Sequence, residues 1–290
     1  MKLKLSYFPQ FDGFGIADAD WEPLSQEKGL PIMCLSDEDY KLIGCEKPNA
    51  TAPVIGVLMG REPDHYCLQV DYVKALTKAG ANIVFLDYAY HDIQLAFCSG
   101  LLLPGGAFET PDWYYSDAKE DGWEYPNKRS KAYAESLKFA KAFGMPVLGI
   151  CAGMQVIAAE RGLKLYRSAE YFESPLQHKT KSAMAHHIDL AEGTPFRAMM
   201  DDAWRLPVNS RHSEFVAPIR VQRELLELKP DQNLPYDVYA LATDGIPEAI
   251  GNMEAGILGV QWHPENLAVA GDEKQQRIFN WLVEKAFDAK

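Results

Sequence analysis

Two short stretches of this chain hold side chains able to do covalent chemistry. Gly149-Ile150-Cys151-Ala152-Gly153 sets a thiol between the apolar run Pro146 to Ile150 and an Ala-rich stretch that reads as a helix to about Glu160. A nucleophile at such a strand-to-helix turn is raised at the carboxyl end of a sheet, and flanking glycines relieve the crowding of a sharp elbow. The dipole of the following helix attracts negative charge onto the sulfur. Taken alone, the elbow fits equally well a small buried hydrophobe, the ordinary fate of a free cysteine. Val260-Gln261-Trp262-His263-Pro264-Glu265 decides between the two readings. It follows another apolar strand, and in an extended segment residues two apart project to the same side. Glu265 can then hold the His263 imidazole that faces a thiol.

Other candidate groups have bland readings. His178, His186, His187 and Asp189 fit no standard helix or knuckle spacing, so neither a metal nor a cofactor is expected. Lys128, Arg129 and Lys131 read as a solvated helix start, and Cys67 and Cys98 as packing residues. Gly13-Phe14-Gly15 has no strand before it and no third glycine after it, so it reads as a turn rather than a dinucleotide fingerprint.

The elements that must position Cys151 and His263 are legible as alternating patterns. Val54 to Met59, Ile83 to Leu86, Leu101 to Leu103, Pro146 to Ile150 and Ile257 to Gln261 are short apolar runs of the kind buried on both faces of a parallel sheet. Between them, Tyr66, Val70, Val73 and Leu76 fall at helical spacing, as do Tyr133, Leu137 and Ala140 within a helix from Ser130 to Phe143. Val216, Val238 to Leu241 and Ala249-Ile250 add strands, and Ile278 to Ala286 make a closing amphipathic helix. Strands separated by helices imply right-handed crossovers and a sheet covered on both sides. Residues 1–52, punctuated by Gly and Pro, read as a strap, and 53–290 as one α/β domain. Tyr7, Phe8, Phe11, Phe14 and Trp21 give the strap more apolar area than a free tail should expose, so it is expected to lie on the domain or on a second copy, leaving room for a homodimer.

Composition sets the outer limits. The 290 residues carry 29 basic and 41 acidic side chains, a net charge of −12, which argues against nucleic acid as a partner. A hydrophobic content of 47% argues against disorder. No apolar run reaches the roughly 18 residues of a membrane span, and the first ten residues lack a secretory signal pattern, so a cytoplasmic location without membrane attachment is expected. The five cysteines form no C-x-x-C pair and read as free thiols.

Leu103-Pro104-Gly105-Gly106, Gly149 to Gln155 and Val260 to Glu265, in this order, resemble the motifs of class I glutamine amidotransferases. Val208-Asn209-Ser210-Arg211-His212 and Ala242 to Ile250 are similar to the branch containing γ-glutamyl-γ-aminobutyrate hydrolases, the peptidase C26 branch. The resemblance covers about residues 53 to 287. It implies a three-layer α/β sandwich with a central, mostly parallel, flavodoxin-like sheet. It also implies a Cys151-His263-Glu265 triad, an oxyanion hole from the N–H groups of Gly106 and Ala152, and substrate contacts from Gln155 and the Ser210, Arg211 and His212 segment. That branch often shows a second histidine after position 212; Ser213 stands here, followed by Glu214, which weakens any direct catalytic part for His212.

Three functions follow from the resemblance: a free-standing hydrolase of small γ-glutamyl amines acting through a thioester, a glutaminase subunit feeding ammonia to a separate synthetase, and a silent interaction protein. The complete triad and the hydrolase-like segments favour the first. Trp113 to Tyr125 alternates rings with carboxylates after the oxyanion loop, which predicts a rim that prefers diamine or polyamine leaving groups.

Overall fold

The computed structural model describes residues 2–3, 5–17, 32–62, 65–118, 124–168, 174–226 and 232–289. The five apolar runs are the parallel centre of the main sheet, in the spatial order Asn82–Leu86, Val54–Leu58, Gly100–Leu103, Val147–Ile150, Ile257–Val260. All four residues of each of the last three strands are buried. Alternation explains this: Leu102, Leu148 and Ile150 enter one core with Val73, Leu76 and Phe279, while Leu101, Leu103 and Val147 enter the other with Leu137 and Ile157. Helices Val70–Lys78 and Glu273–Asp288 cover the first face, and Lys128–Ala142 and Ala152–Ala159 the second.

Numbered along the chain, the parallel strands run 2-1-3-4-5, the flavodoxin-like order. Chain direction across the sheet reverses between Val54–Leu58 and Gly100–Leu103, so the crevice outside their carboxyl ends is where such a sheet binds ligands. Beyond Ile257–Val260 the sheet turns antiparallel through Pro247–Asn252, Asp237–Ala242, His186–Leu190 and Arg205–Val208. The last two strands were not apparent in the sequence.

Two sequence expectations are corrected. His65–Gln69 is a strand, and the helix predicted to include Tyr66 begins at Val70. Gly13–Ala17 is a strand rather than a turn, because it pairs antiparallel with His65–Gln69. With Ser6–Phe8 and Gly60–Glu62 these make a separate four-stranded sheet that buries Phe14. Lys2–Leu3 and Ile32–Met33 extend the main sheet past Asn82–Leu86. Trp21, which contributed to the strap expectation, lies outside the described residues.

Candidate active site

Cys151 stands where the strand Val147–Ile150 becomes the helix Ala152–Ala159, with φ 52° and ψ −106°. A non-glycine residue held there costs about 1–3 kcal/mol and persists only where its surroundings over-determine it. They do: the Cys151 N–H donates to the Val260 carbonyl at 2.8 Å, and its carbonyl accepts from Gln155 N at 3.1 Å. Gly153 lets the helix approach the sheet, since a Cβ there would lie 2.0 Å from the Leu103 carbonyl oxygen.

His263 Nδ1 lies 2.7 Å from Glu265 Oε1, and the carboxylate is completely buried. The geometric reason differs from the extended segment expected. His263 caps the helix Pro264–Val269, and Glu265 reaches back from its first turn. Burial opposes a charge on His263, but the Glu265 carboxylate and the bond to Cys151 outweigh it and carry its pKa up to about 10. Asn209 then fixes the histidine backbone from both sides, donating to the His263 carbonyl at 2.9 Å and accepting from the His263 N–H at 2.8 Å.

Gly105 lies against both Cys151 and the imidazole. A Cβ on it would sit 2.7 Å from His263 Cε1 and 3.0 Å from Cys151 Cβ. Its N–H donates to Tyr72 Oη at 3.0 Å, and its carbonyl accepts from Arg129 Nη2 at 3.1 Å. With that carbonyl turned to Arg129, the planar trans peptide directs the Gly106 N–H the opposite way. Gly106 itself has φ +111°. The Ala152 N–H is in the first turn of its helix, where no intrahelical acceptor exists. We expect Gly105→Ala to leave the melting temperature within a few degrees and to lower kcat about 10²-fold, the effect of a displacement near 1 Å at reacting groups. Circular dichroism melting and steady-state kinetics check both halves.

These groups meet in a cavity of about 520 Å³ at the reversal point of the sheet. Gln155, Arg211 and His212 line it, whereas Ser210 is not among the described lining residues and donates its hydroxyl to the His178 carbonyl at 2.7 Å. Gln155 Nε2 donates to the Glu214 carbonyl at 2.7 Å. Arg129 overturns the expectation of a solvated helix start: it is 4% exposed, lines the cavity, and its Nε and Nη1 have no hydrogen-bond partner among the described residues. Tyr133 holds it, at 3.0 Å from Nη2 to the phenol oxygen. Cys67, expected only to pack, also lines the cavity.

The expected acidic rim is not found among the described residues. Asp112 and Asp117 bind Arg167 at the surface, Glu124 is exposed, and 119–123 lie outside the described residues. The cavity instead carries Arg129, Lys179 and Arg211, with Glu214 as its carboxylate. Both Glu214 oxygens are already engaged, by Thr110 at 2.6 Å and Tyr115 at 2.5 Å.

The fold, with its reversal-point cavity, is that of class I glutamine amidotransferase domains. The glutaminase domain of Trypanosoma brucei CTPS, solved with bound acivicin, superposes with a TM-score of 0.55 at 14% identity, covering 81% of this chain and 94% of that one. Residues 53–265 match Peptidase C26, and the chain belongs to that family of glutamine amidotransferase-like hydrolases. The glutamine amidotransferase-like protein YvdE of Lactococcus lactis is 25% identical over 175 residues, 59% of this chain and 67% of YvdE. The glutamine-hydrolyzing GMP synthase of Yersinia enterocolitica is 29% identical over 189 residues, which are 64% of this chain and 28% of the synthase. No described helix is long and apolar enough to cross a membrane.

Proposed function

We propose that the chain hydrolyses γ-glutamyl amide bonds of small γ-glutamyl amines through a thioester on Cys151. The observation that carries this reading is the convergence of Cys151 and His263 beside Gly105, with Glu265 on the Nδ1 side of the imidazole. The thiolate attacks the γ-carbonyl carbon, and the resulting oxyanion is received by the N–H groups of Gly106 and Ala152. The C–N bond breaks as His263 passes its proton to the departing amine. Water then gives a proton to His263 and attacks the thioester, releasing glutamate and restoring the thiol.

The cationic lining favours anions. Arg129 and Arg211 suit the glutamyl α-carboxylate, and a leaving group bearing another cation would meet like charge. Conjugates with neutral or carboxylate-bearing amines are therefore expected to show higher kcat/KM than conjugates of diamines or polyamines, the reverse of the sequence expectation. A panel of γ-glutamyl amides assayed for free glutamate tests this; no release from any of them defeats the hydrolase reading. Glutamine turnover that appears only with a synthetase would favour the glutaminase-subunit reading, which the similarity to part of a GMP synthase supports. All five cysteines are free, which supports a cytoplasmic location.

A further inference from the structure

Behind the cavity wall lies a group of ionisable side chains that the hydrolytic scheme does not use. His178, His212 and Glu248 are each 3% exposed or less. Their facing atoms, one per residue, lie within 4.8 Å of one another, although the residues are 34 and 36 positions apart in the chain. Glu248 Oε1 is 3.6 Å from His178 Nδ1 and 3.7 Å from His212 Nε2, too far for hydrogen bonds. Both nitrogens, and Glu248 Oε2, are buried without a hydrogen-bond partner among the described residues.

The outer bonds fix which atoms face inward. His212 Nδ1 lies 3.0 Å from the Glu214 carbonyl, which can only accept, so Nδ1 carries the hydrogen. With the hydrogen on Nδ1, the neutral tautomer presents Nε2 as a lone pair toward a carboxylate oxygen, and Nε2 has no hydrogen-bond partner among the described residues. Two electron-rich atoms are not left facing each other in a buried space without a cation between them. His178 Nε2 is 2.8 Å from Asp244 Oδ2, and His186 Nε2 is 3.1 Å from Glu248 Oε1. Each inward-facing group thus has an outer partner of the kind that orients metal ligands: a carboxylate, a backbone carbonyl and a hydrogen-bonded histidine.

We propose that His178, His212 and Glu248 bind a divalent transition-metal ion, with zinc as the fitting probe. A tetrahedral zinc with bonds of about 2.0–2.1 Å sets its ligand atoms about 3.3–3.4 Å apart, so the two carboxylate–histidine separations of 3.6 and 3.7 Å need to close by only a few tenths of an ångström, while the two histidine nitrogens, which lie within 4.8 Å, must approach to the same distance. His212 lines the catalytic cavity and gives the ion its route in. The ion would clamp 178–180 to 210–212, already joined by His212 N to the His178 carbonyl at 2.9 Å and Thr180 N to the Ser210 carbonyl at 3.0 Å. Segment 210–212 directly follows Asn209, which holds the His263 backbone. The rival occupant is a proton: burial opposes charge on His178, but Asp244 and Glu248 outweigh it and raise its pKa to about 9.

The test uses the full chain carrying Cys151→Ala, so that the active-site thiol cannot compete for metal. After chelator treatment, Zn²⁺ is titrated by calorimetry, and Co²⁺ by visible absorption. The expected result is one equivalent bound, a melting temperature that rises with Zn²⁺, and cobalt bands without a thiolate charge-transfer band. Asp244→Asn, which leaves all three ligands in place, should weaken Zn²⁺ binding about 10- to 100-fold, and His212→Gln should weaken it further. Absence of saturable binding, or binding unchanged in both variants, overturns the metal site and leaves a shared proton in its place. A chain that hydrolyses no γ-glutamyl amide yet binds zinc in this way would refute the proposed function alone.

Discussion

Replacing Cys151 with alanine is expected to lower γ-glutamyl amide hydrolysis by about 10⁶-fold while the protein keeps its melting temperature or gains a little. The size follows from the role. Without the sulfur no thioester forms, and what survives is the acceleration that cavity binding and the Gly106 and Ala152 N–H groups can give to direct attack by water. Stability is expected to hold because the side chain is small and sits at the cavity wall, and the backbone bonds from Cys151 N to the Val260 carbonyl and from Gln155 N to the Cys151 carbonyl do not involve the sulfur. The left-handed backbone remains uncomfortable for alanine as it is for cysteine, so no strain is relieved. A glutamine-mimicking electrophile followed by peptide mass spectrometry should place the adduct on Cys151 in the parent chain and nowhere in the variant. Cys67 is the informative control, because it lines the same cavity. Labelling at Cys67, or turnover within tenfold of the parent, would remove Cys151 from the mechanism.

How much of this site the sequence exposes depends on the range of the interaction that builds each part. Cys151 is visible because strand, elbow and helix are consecutive in the chain, and the five parallel strands are visible because double-faced burial leaves uninterrupted apolar runs. Arg129 was misread from its charged neighbours. Its signal lay in the same helix: it stands four residues before Tyr133, so the apolar face through Tyr133, Leu137 and Ala140 extends back to it and carries it inward. Tyr72 has no local signature, and the motif that contains Asn209 does not show what its side chain holds. Asn209 and Tyr72 act on the His263 backbone and the Gly105 N–H across 54 and 33 residues of chain, contacts that only tertiary packing creates. Gly105 stands in the Leu103 to Gly106 motif with no role of its own there, yet its missing Cβ is what admits the imidazole beside the thiol. Of the four groups that the sequence offers together, His178, His186, His187 and Asp189, the sheet exposes His187 and sends Asp189 to Arg205, while His178 is gathered with His212, far along the chain, on Glu248.

Removing the imidazole with His263→Ala should cost about as much as removing the thiol, near 10⁶-fold, whereas Glu265→Gln should cost about 10⁴-fold. The difference reflects what each group does in the proposed mechanism. There His263 handles the proton of the leaving amine and of the attacking water, and Glu265 orients the ring through the 2.7 Å contact at Nδ1 and favours its charged form. The same contact predicts a pH signature that a merely structural glutamate would not give. His263 keeps its proton up to about pH 10 in the parent chain, because the Glu265 carboxylate and Cys151 favour the imidazolium over the penalty of burial. Loss of that proton removes the acid that the leaving amine needs, so kcat/KM should fall on the alkaline side, near pH 10. Glutamine at 265 carries no charge, so burial acts with less opposition, the imidazolium gives up its proton more readily, and the alkaline limb should move to lower pH. Glu265→Asp keeps the charge on a shorter arm and should leave the limb closer to the parent position than glutamine does, even where kcat drops. Measured pH profiles of kcat/KM for the parent and the two variants decide it. A limb that stays in place in Glu265→Gln, or a glutamine variant slower than His263→Ala, would mean that the carboxylate and the imidazole have been given each other's roles.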